Sequence, residues 1–263
     1  MKLVKKLIVI MGVLILLGLI GIFVYFNFIQ EDKILILTYH GVVEKILDDP
    51  AITVDINEER FEEQIKWLYD NDFKSLTMEE FYEWKVNGKK LPRKSVLITF
   101  DDGWSNFYFN AMPILEKYDM KATVFVLWKY SENATEDDNV YLTLDQIEDI
   151  RKNHSLIEIH SHSFDLHVRE KAESKDYDIY DEDIKLVRGF DEQTQFYAYP
   201  FGERDDQYIK ALKDNNFKLA FTFGPYDFAR KGDDNYQIPR FGMYESTPNW
   251  KFKLKMLLEI WKR

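Results

Sequence analysis

Apolar and polar positions in this chain fall into alternating blocks. Short apolar runs of strand length stand at "KILILTYH" (33–40), "SVLITF" (95–100), "KATVFVL" (121–127), "SLIEIHSH" (155–162), "QFYAYP" (195–200) and "FKLAFTF" (217–223). Between them lie segments whose apolar residues recur every three to four positions, as on one face of a helix. In "NEERFEEQIKWLYDND", Phe61, Ile65, Trp67 and Leu68 form such a face, and Asn57 is placed to cap it. Capping-box spacing recurs at Thr77/Glu80 and Thr143/Gln146, with Gly88 suited to a helix end. Further helices are expected over "DEDIKLVRGF", "RDDQYIKALKDNN" and the closing "TPNWKFKLKMLLEIWKR", and one around "WSNFYFNAMPILEKYD" that Pro113 starts or interrupts. Short apolar strands alternating with helices mean a parallel sheet covered by helices. Six or more such strands in one domain point to a barrel rather than an open sheet.

The first block is different. Lys2, Lys5 and Lys6 precede a run from Leu7 to Phe26 without a charge. About twenty apolar residues suffice to span a bilayer as a helix. Tyr25, Phe26, Asn27 and Phe28 follow, with no small-residue cleavage pattern, so residues 1–30 are expected to be a cytoplasmic stub and uncleaved transmembrane signal anchor. Lysines before the run and Glu31 and Asp32 after it place residues 31–263 outside the cell. The chain has 46 acidic and 35 basic residues, a net charge of −11, and every acid lies in that outer part. Nucleic acid and anionic lipid are thereby excluded as main partners. There is no cysteine, so neither a disulfide framework nor thiol chemistry is available.

Parallel α/β folds gather their chemistry at the carboxyl ends of the strands. Here those ends read Tyr39-His40, Asp101-Asp102-Gly103, "HSHSFDLH" with His160, His162 and His167, and "YAYPFG". Four of the five histidines lie at two strand ends, which scattered surface histidines would not do. His162 and His167, five apart where a strand opens into a turn, are candidate metal ligands. A carboxylate from another strand end would complete a set of two nitrogens and one oxygen. That set suits Zn²⁺ with an open position, and also Fe(II), although no histidine here has the acid two residues on that such iron sites usually carry. Of two adjacent acids, one can bind the metal while its neighbour acts as base.

The motifs "TFDDG", "HSHSFDLH" and "YPFG", in this order and spacing, resemble those of the carbohydrate esterase family 4 polysaccharide deacetylases. "ILTYHGV", "FEEQIKWL" and "KATVFV" extend the resemblance over roughly residues 34–245. In particular the chain resembles the poly-N-acetylglucosamine deacetylases of exopolysaccharide, where "YH" opens the domain. The resemblance implies a distorted (β/α)7-type barrel and metal-dependent removal of acetyl groups from an N-acetylglucosamine-containing polysaccharide, with Zn²⁺ the expected metal. Carried over by motif, Asp101 is the base, Asp102, His162 and His167 hold the metal, and the backbone N–H of Phe201, in the turn with Tyr199 and Pro200, helps hold the oxyanion. Two departures stand out. Many members carry an arginine where this chain has Ala198, and many carry a late histidine as general acid, whereas no histidine follows His167. His40 is the remaining candidate for the acid, and Arg240 in "IPRF" for the missing arginine. His160 is expected behind the ligands and His154 on the surface. Tyr39, Trp104 and Tyr199 are candidates for a sugar groove. Removal of O-acetyl groups, and glycan binding by a decayed site, are the alternatives the sequence leaves open.

Overall fold

In the computed structural model, residues 2–24, 33–47, 49–50, 53–137, 140–224 and 227–260 are described. Six parallel strands form the main wall: β1 Lys33–Tyr39, β2 Ser95–Phe100, β3 Ala122–Val126, β4 Ile157–Ser161, β5 Phe196–Ala198 and β6 Leu219–Phe221. They pair in chain order, with Tyr39 beside Phe100, Thr99 beside Thr123, Val126 beside Ser161, Ser161 beside Tyr197 and Ala198 beside Phe221. The remaining side is bridged by one short segment. Ile238 pairs with Phe221, and β7, Phe241–Gly242, pairs in parallel with Leu37 and Thr38 of β1. The half-barrel of the first six strands is thus joined across its open side by residues 238–242, giving the distorted α/β barrel expected from the sequence.

The strands are buried on both faces, and their side chains sort by period two. Ile34, Ile36, Leu97, Phe125, Phe196, Ala198, Leu219 and Phe221 belong to the interior core, together with Met78, Phe81 and Trp84 from the helix Met78–Asn87, which closes the amino end of the barrel. Leu35, Leu37, Tyr39, Val96, Ile98, Phe100, Val124, Val126, Ile157 and Ile159 belong to the outer core under the surrounding helices. Each such residue, fully buried, contributes about 1.5–3 kcal/mol. At the carboxyl end the interior positions turn polar: Thr38 and Thr99 bond each other at 3.1 Å, and the next inward positions are His40 and Asp101.

Both capping boxes form, and Asn57 caps the helix Glu58–Asp70. The helix expected around Pro113 divides into a wide turn, Phe107–Ala111, and the helix Met112–Lys117. Proline lacks the N–H that a continuous helix would need there. The first helix runs Lys2–Val24, with side chains described only at residues 6 and 10–21. Among the described residues no helix is long and apolar enough to cross a membrane, so the transmembrane anchor of the sequence reading gains no support from the structure. Residues 25–30 of that segment lie outside the described residues.

Candidate active site

The "TFDDG" stretch shows how two adjacent acids come to serve one site. The Asp101 N–H makes the last rung to Tyr39 O, at 3.0 Å. Asp102 and Gly103 then both take left-handed backbone angles, φ 71° and 72°, so the chain turns off the strand. That conformation costs a non-glycine residue about 1–2 kcal/mol, least for Asp and Asn. At Gly103 a Cβ would lie 3.2 Å from the Val126 Cα, so the turn also needs the missing side chain. As a result both carboxylates stay on the barrel rim, and both are almost completely buried.

The histidines arrive from β4. His162 continues the inward positions of the strand, and its Nδ1–H donates to Ala198 O at 2.8 Å. A carbonyl can only accept, so Nδ1 carries a proton and Nε2 is the ring nitrogen left to face the rim. The following loop folds back through Ser163 (φ 104°), whose hydroxyl accepts from the Leu166 N–H. The Asp183 carboxylate accepts from the N–H groups of Phe164 and Asp165, at 2.9 and 2.6 Å. This acid from the helix Tyr177–Phe190 was not foreseen in the sequence, where it looks like any helical aspartate. Burial pushes its carboxyl up to about 6. The loop returns His167, whose ring stacks on Phe201 with centroids 4.4 Å apart. Arg169 lies 4.6 Å from the Phe201 ring centroid.

His162 Nε2 and His167 Nε2 stand 3.4 and 3.3 Å from Asp102 Oδ1, and the three donor atoms all lie within 4.8 Å of one another. The other carboxylate oxygen, Oδ2, accepts from Trp104 Nε1–H at 3.1 Å. Oδ1 is buried without a hydrogen-bond partner among the described residues. An orphaned carboxylate oxygen between two imidazole nitrogens is the donor set for a divalent cation, so these residues fit a metal. Electrostatics agree. Burial raises the Asp102 carboxyl, but His162 and the neighbouring imidazole charges outweigh it and hold the group well below the usual carboxylate range. Burial, reinforced by the His162 charge, pushes His167 down to about 4, so its ring is neutral at pH 7.

Asp101 faces a different partner. Arg240, fully buried, donates from both terminal nitrogens to its two carboxylate oxygens, each at 2.7 Å. Arg240 Nε–H also donates to Thr222 O at 3.0 Å. Burial raises the Asp101 carboxyl, but the Arg240 charge outweighs it and keeps the group ionised. Arg240, the sequence's candidate for the arginine absent at Ala198, thus pairs with Asp101 from the segment that bridges the barrel.

His40 takes the inward position after β1 on the same rim, and its ring meets Phe223 edge-on at 5.7 Å. Its Nδ1 is buried without a hydrogen-bond partner among the described residues. His160 also faces inward but lies two residues deeper, 3.5 Å from Thr194 Oγ1, and burial pushes it down to about 3. His154 ties Glu116 to Asp149 away from the rim. Phe201 takes a left-handed conformation (φ 57°), and Gly202 after it (φ 72°) has no room for a Cβ, which would sit 2.6 Å from Phe223 N. Two expectations need correction. Tyr39 is fully buried with its hydroxyl on Gln64, and Tyr199 is fully buried against Tyr197 and Tyr208. Each neighbours an inward residue, His40 or Ala198, so alternation sends each tyrosine to the outside of the barrel, and neither lines a groove. Pro200 is buried in the turn.

The model of the family described as polysaccharide deacetylase matches residues 88–220 of this chain. The poly-beta-1,6-N-acetyl-D-glucosamine N-deacetylase of Staphylococcus epidermidis is 30% identical over 231 residues, covering 80% of this chain and 79% of that protein. A protein of the same description from Staphylococcus aureus is also 30% identical over 231 residues, with the same coverage. Among solved structures, the Streptococcus pyogenes deacetylase PplD in complex with acetate superposes with a TM-score of 0.77 at 26% identity, covering 86% of this chain and 99% of that one. IcaB from Ammonifex degensii superposes with a TM-score of 0.72 at 22% identity, over 88% of this chain and 98% of that one, a likeness of fold.

Proposed function

The chain belongs to the polysaccharide deacetylase family, and from that premise we propose that it hydrolyses the N-acetyl groups of a β-linked N-acetylglucosamine polymer at the cell surface. The observation that carries this reading is the pairing of two units on one rim: the Asp102–His162–His167 donors and the Arg240-locked Asp101. Asp102 Oδ1, His162 Nε2 and His167 Nε2 would hold a divalent ion, with Zn²⁺ matching two nitrogens, one oxygen and an open position. When bound, such an ion polarises the acetyl carbonyl and makes water more acidic.

The remaining steps fall to the chain's own residues. Asp101 takes the proton from the attacking water. Arg240 keeps that carboxylate ionised and fixes its plane. The Phe201 N–H shares the negative charge that develops on the acetyl oxygen. His40 returns a proton to the departing amine, which leaves poorly as an anion. In the experiment that tests this scheme, the purified protein releases acetate from β-1,6-linked N-acetylglucosamine oligomers, loses that activity to a chelator and regains it with added zinc. His40→Ala keeps the metal and loses amide hydrolysis, while hydrolysis of an activated acetyl ester, whose leaving group needs no proton, falls much less. Acetate release insensitive to chelation would remove the metal from the scheme. Equal losses on amide and ester would make His40 an orienting residue.

The surface location rests on the uncharged run from Leu7 to Phe26 behind three lysines. Protease added to intact cells should digest residues 31–263 and leave a protected stub. A freely secreted, shortened form would show instead that the leader is cleaved.

A further inference from the structure

An aromatic row leads outward from the donor cluster. Trp104, whose Nε1–H holds Asp102, lies nearly parallel to Tyr141, with ring centroids 4.7 Å apart and planes at 17°. Tyr141 in turn packs on Tyr130, at 4.8 Å and 34°. Backbone bonds hold the row in place: Leu142 N–H to Gly103 O at 2.8 Å and Ser105 N–H to Val140 O at 2.9 Å. All three rings are only half-buried, and they border open space. Tyr130 and Tyr141 line a cavity of 550 Å³ with Lys129, Asn133 and Asp165. Trp104 and Phe109 line one of 410 Å³ with Asp55, Asn106 and Asn110. Val140 lines both, so the two cavities flank the same row. Val140 and Phe109 are 46% and 51% exposed, so both present apolar surface to these cavities.

The two cavities share one chemistry: aromatic and aliphatic faces edged with amide, carboxylate and ammonium groups. A pyranose has the complementary form, an apolar C–H face ringed by hydroxyls that both donate and accept. Asp165 is balanced by Lys129 and Lys171, at 2.7 and 2.6 Å, so Asp55 and the net charge of −11 are what favour a neutral or cationic chain over an anionic one. We infer that the row formed by Trp104, Tyr141 and Tyr130 is the spine of a glycan-binding groove. Sugar residues on either side of the one being deacetylated would lie against it, one in each cavity. The position of the groove along the substrate rests on the deacetylase reading; its capacity to bind a glycan does not. Nothing in the sequence marked Tyr130 or Tyr141, which flank an acid-rich stretch with the look of a surface loop.

The test is calorimetric titration of β-1,6-linked N-acetylglucosamine dimer and hexamer into the full-length, metal-loaded protein carrying Asp101→Asn, so that the ligand is not consumed. The hexamer should bind more tightly than the dimer. Adding Tyr130→Ala, or Phe109→Ala in the other cavity, should weaken hexamer binding about tenfold, the order expected for loss of one stacking surface. Dimer binding should change little, and Tyr130→Phe should restore the hexamer affinity. Both alanine variants should keep the parent's metal content and thermal unfolding midpoint, which shows that they fold with the donor cluster intact. Equal affinity for dimer and hexamer in the parent overturns the groove. So does an undiminished hexamer affinity in both alanine variants, or an equal loss on both ligands. If the native protein releases no acetate from either oligomer yet keeps this length-dependent binding, the deacetylase reading falls and the groove stands.

Discussion

Asp101→Asn should leave the metal in place and lower deacetylation by about a hundredfold or more, the scale of a missing general base. The two adjacent acids make opposite demands. Asp102 presents a bare oxygen, Oδ1, to two imidazole nitrogens at 3.3–3.4 Å, whereas both oxygens of Asp101 are taken up by Arg240 at 2.7 Å. A carboxylate already held on both oxygens by one guanidinium is a poor metal ligand, but it is fixed in plane and ionised before the proton transfer, as a base requires. The asparagine amide has nearly the same shape as the carboxylate it replaces and cannot accept a proton from water. Metal content by elemental analysis and acetate release should therefore part company in this variant. Loss of metal with loss of activity would mean that the roles of Asp101 and Asp102 are exchanged.

Much of this arrangement was legible in the chain itself. Apolar runs bounded by capping residues located the strands and helices, because burial on both faces of a parallel barrel demands continuous hydrophobic runs. His162 and His167 were legible because histidines gather where strands end, whereas the choice of Asp102 over Asp101 as their partner came from the family resemblance. The closure of the barrel was not. Phe241–Gly242 is a strand of two residues just after a proline and an arginine, too short for any periodicity to show. Arg240 could be suspected only from the gap at Ala198, since its value comes from a contact 139 positions away in sequence. The misplacement of Tyr39 and Tyr199 was avoidable. Once His40 and Ala198 face inward, the pleat sends their neighbours out. Tyr130 and Tyr141 were out of reach for another reason: the stack depends on how the short helix Trp128–Asn133 and the chain around Tyr141 settle against the turn at Trp104, and such packing leaves little trace in composition.

Arg240→Met should lower stability by about 3–5 kcal/mol, the usual consequence of removing one partner of a buried ion pair. It should also abolish most activity while sparing the metal site. The methionine fills comparable volume without charge, so the loss isolates the uncompensated Asp101 carboxylate rather than a cavity. Left alone in a buried site, that carboxylate would take up a proton or draw in water, and either would disarm it as a base. Arg240→Lys should recover only part of both properties. An ammonium can neutralise Asp101 but cannot bond both oxygens in one plane while also reaching Thr222 O, as the guanidinium does. Combining Arg240→Met with Asp101→Asn removes both charges, so the double variant should be more stable than the sum of the single losses predicts, a coupling that denaturant titration of the four proteins would measure. Strict additivity would show that the two residues do not depend on each other. The segment from Ile238 to Gly242 would then serve only to bridge the wall of the barrel. If the coupling appears, that same segment both completes the wall and arms the base, and damage to the closure should reach the chemistry through Arg240.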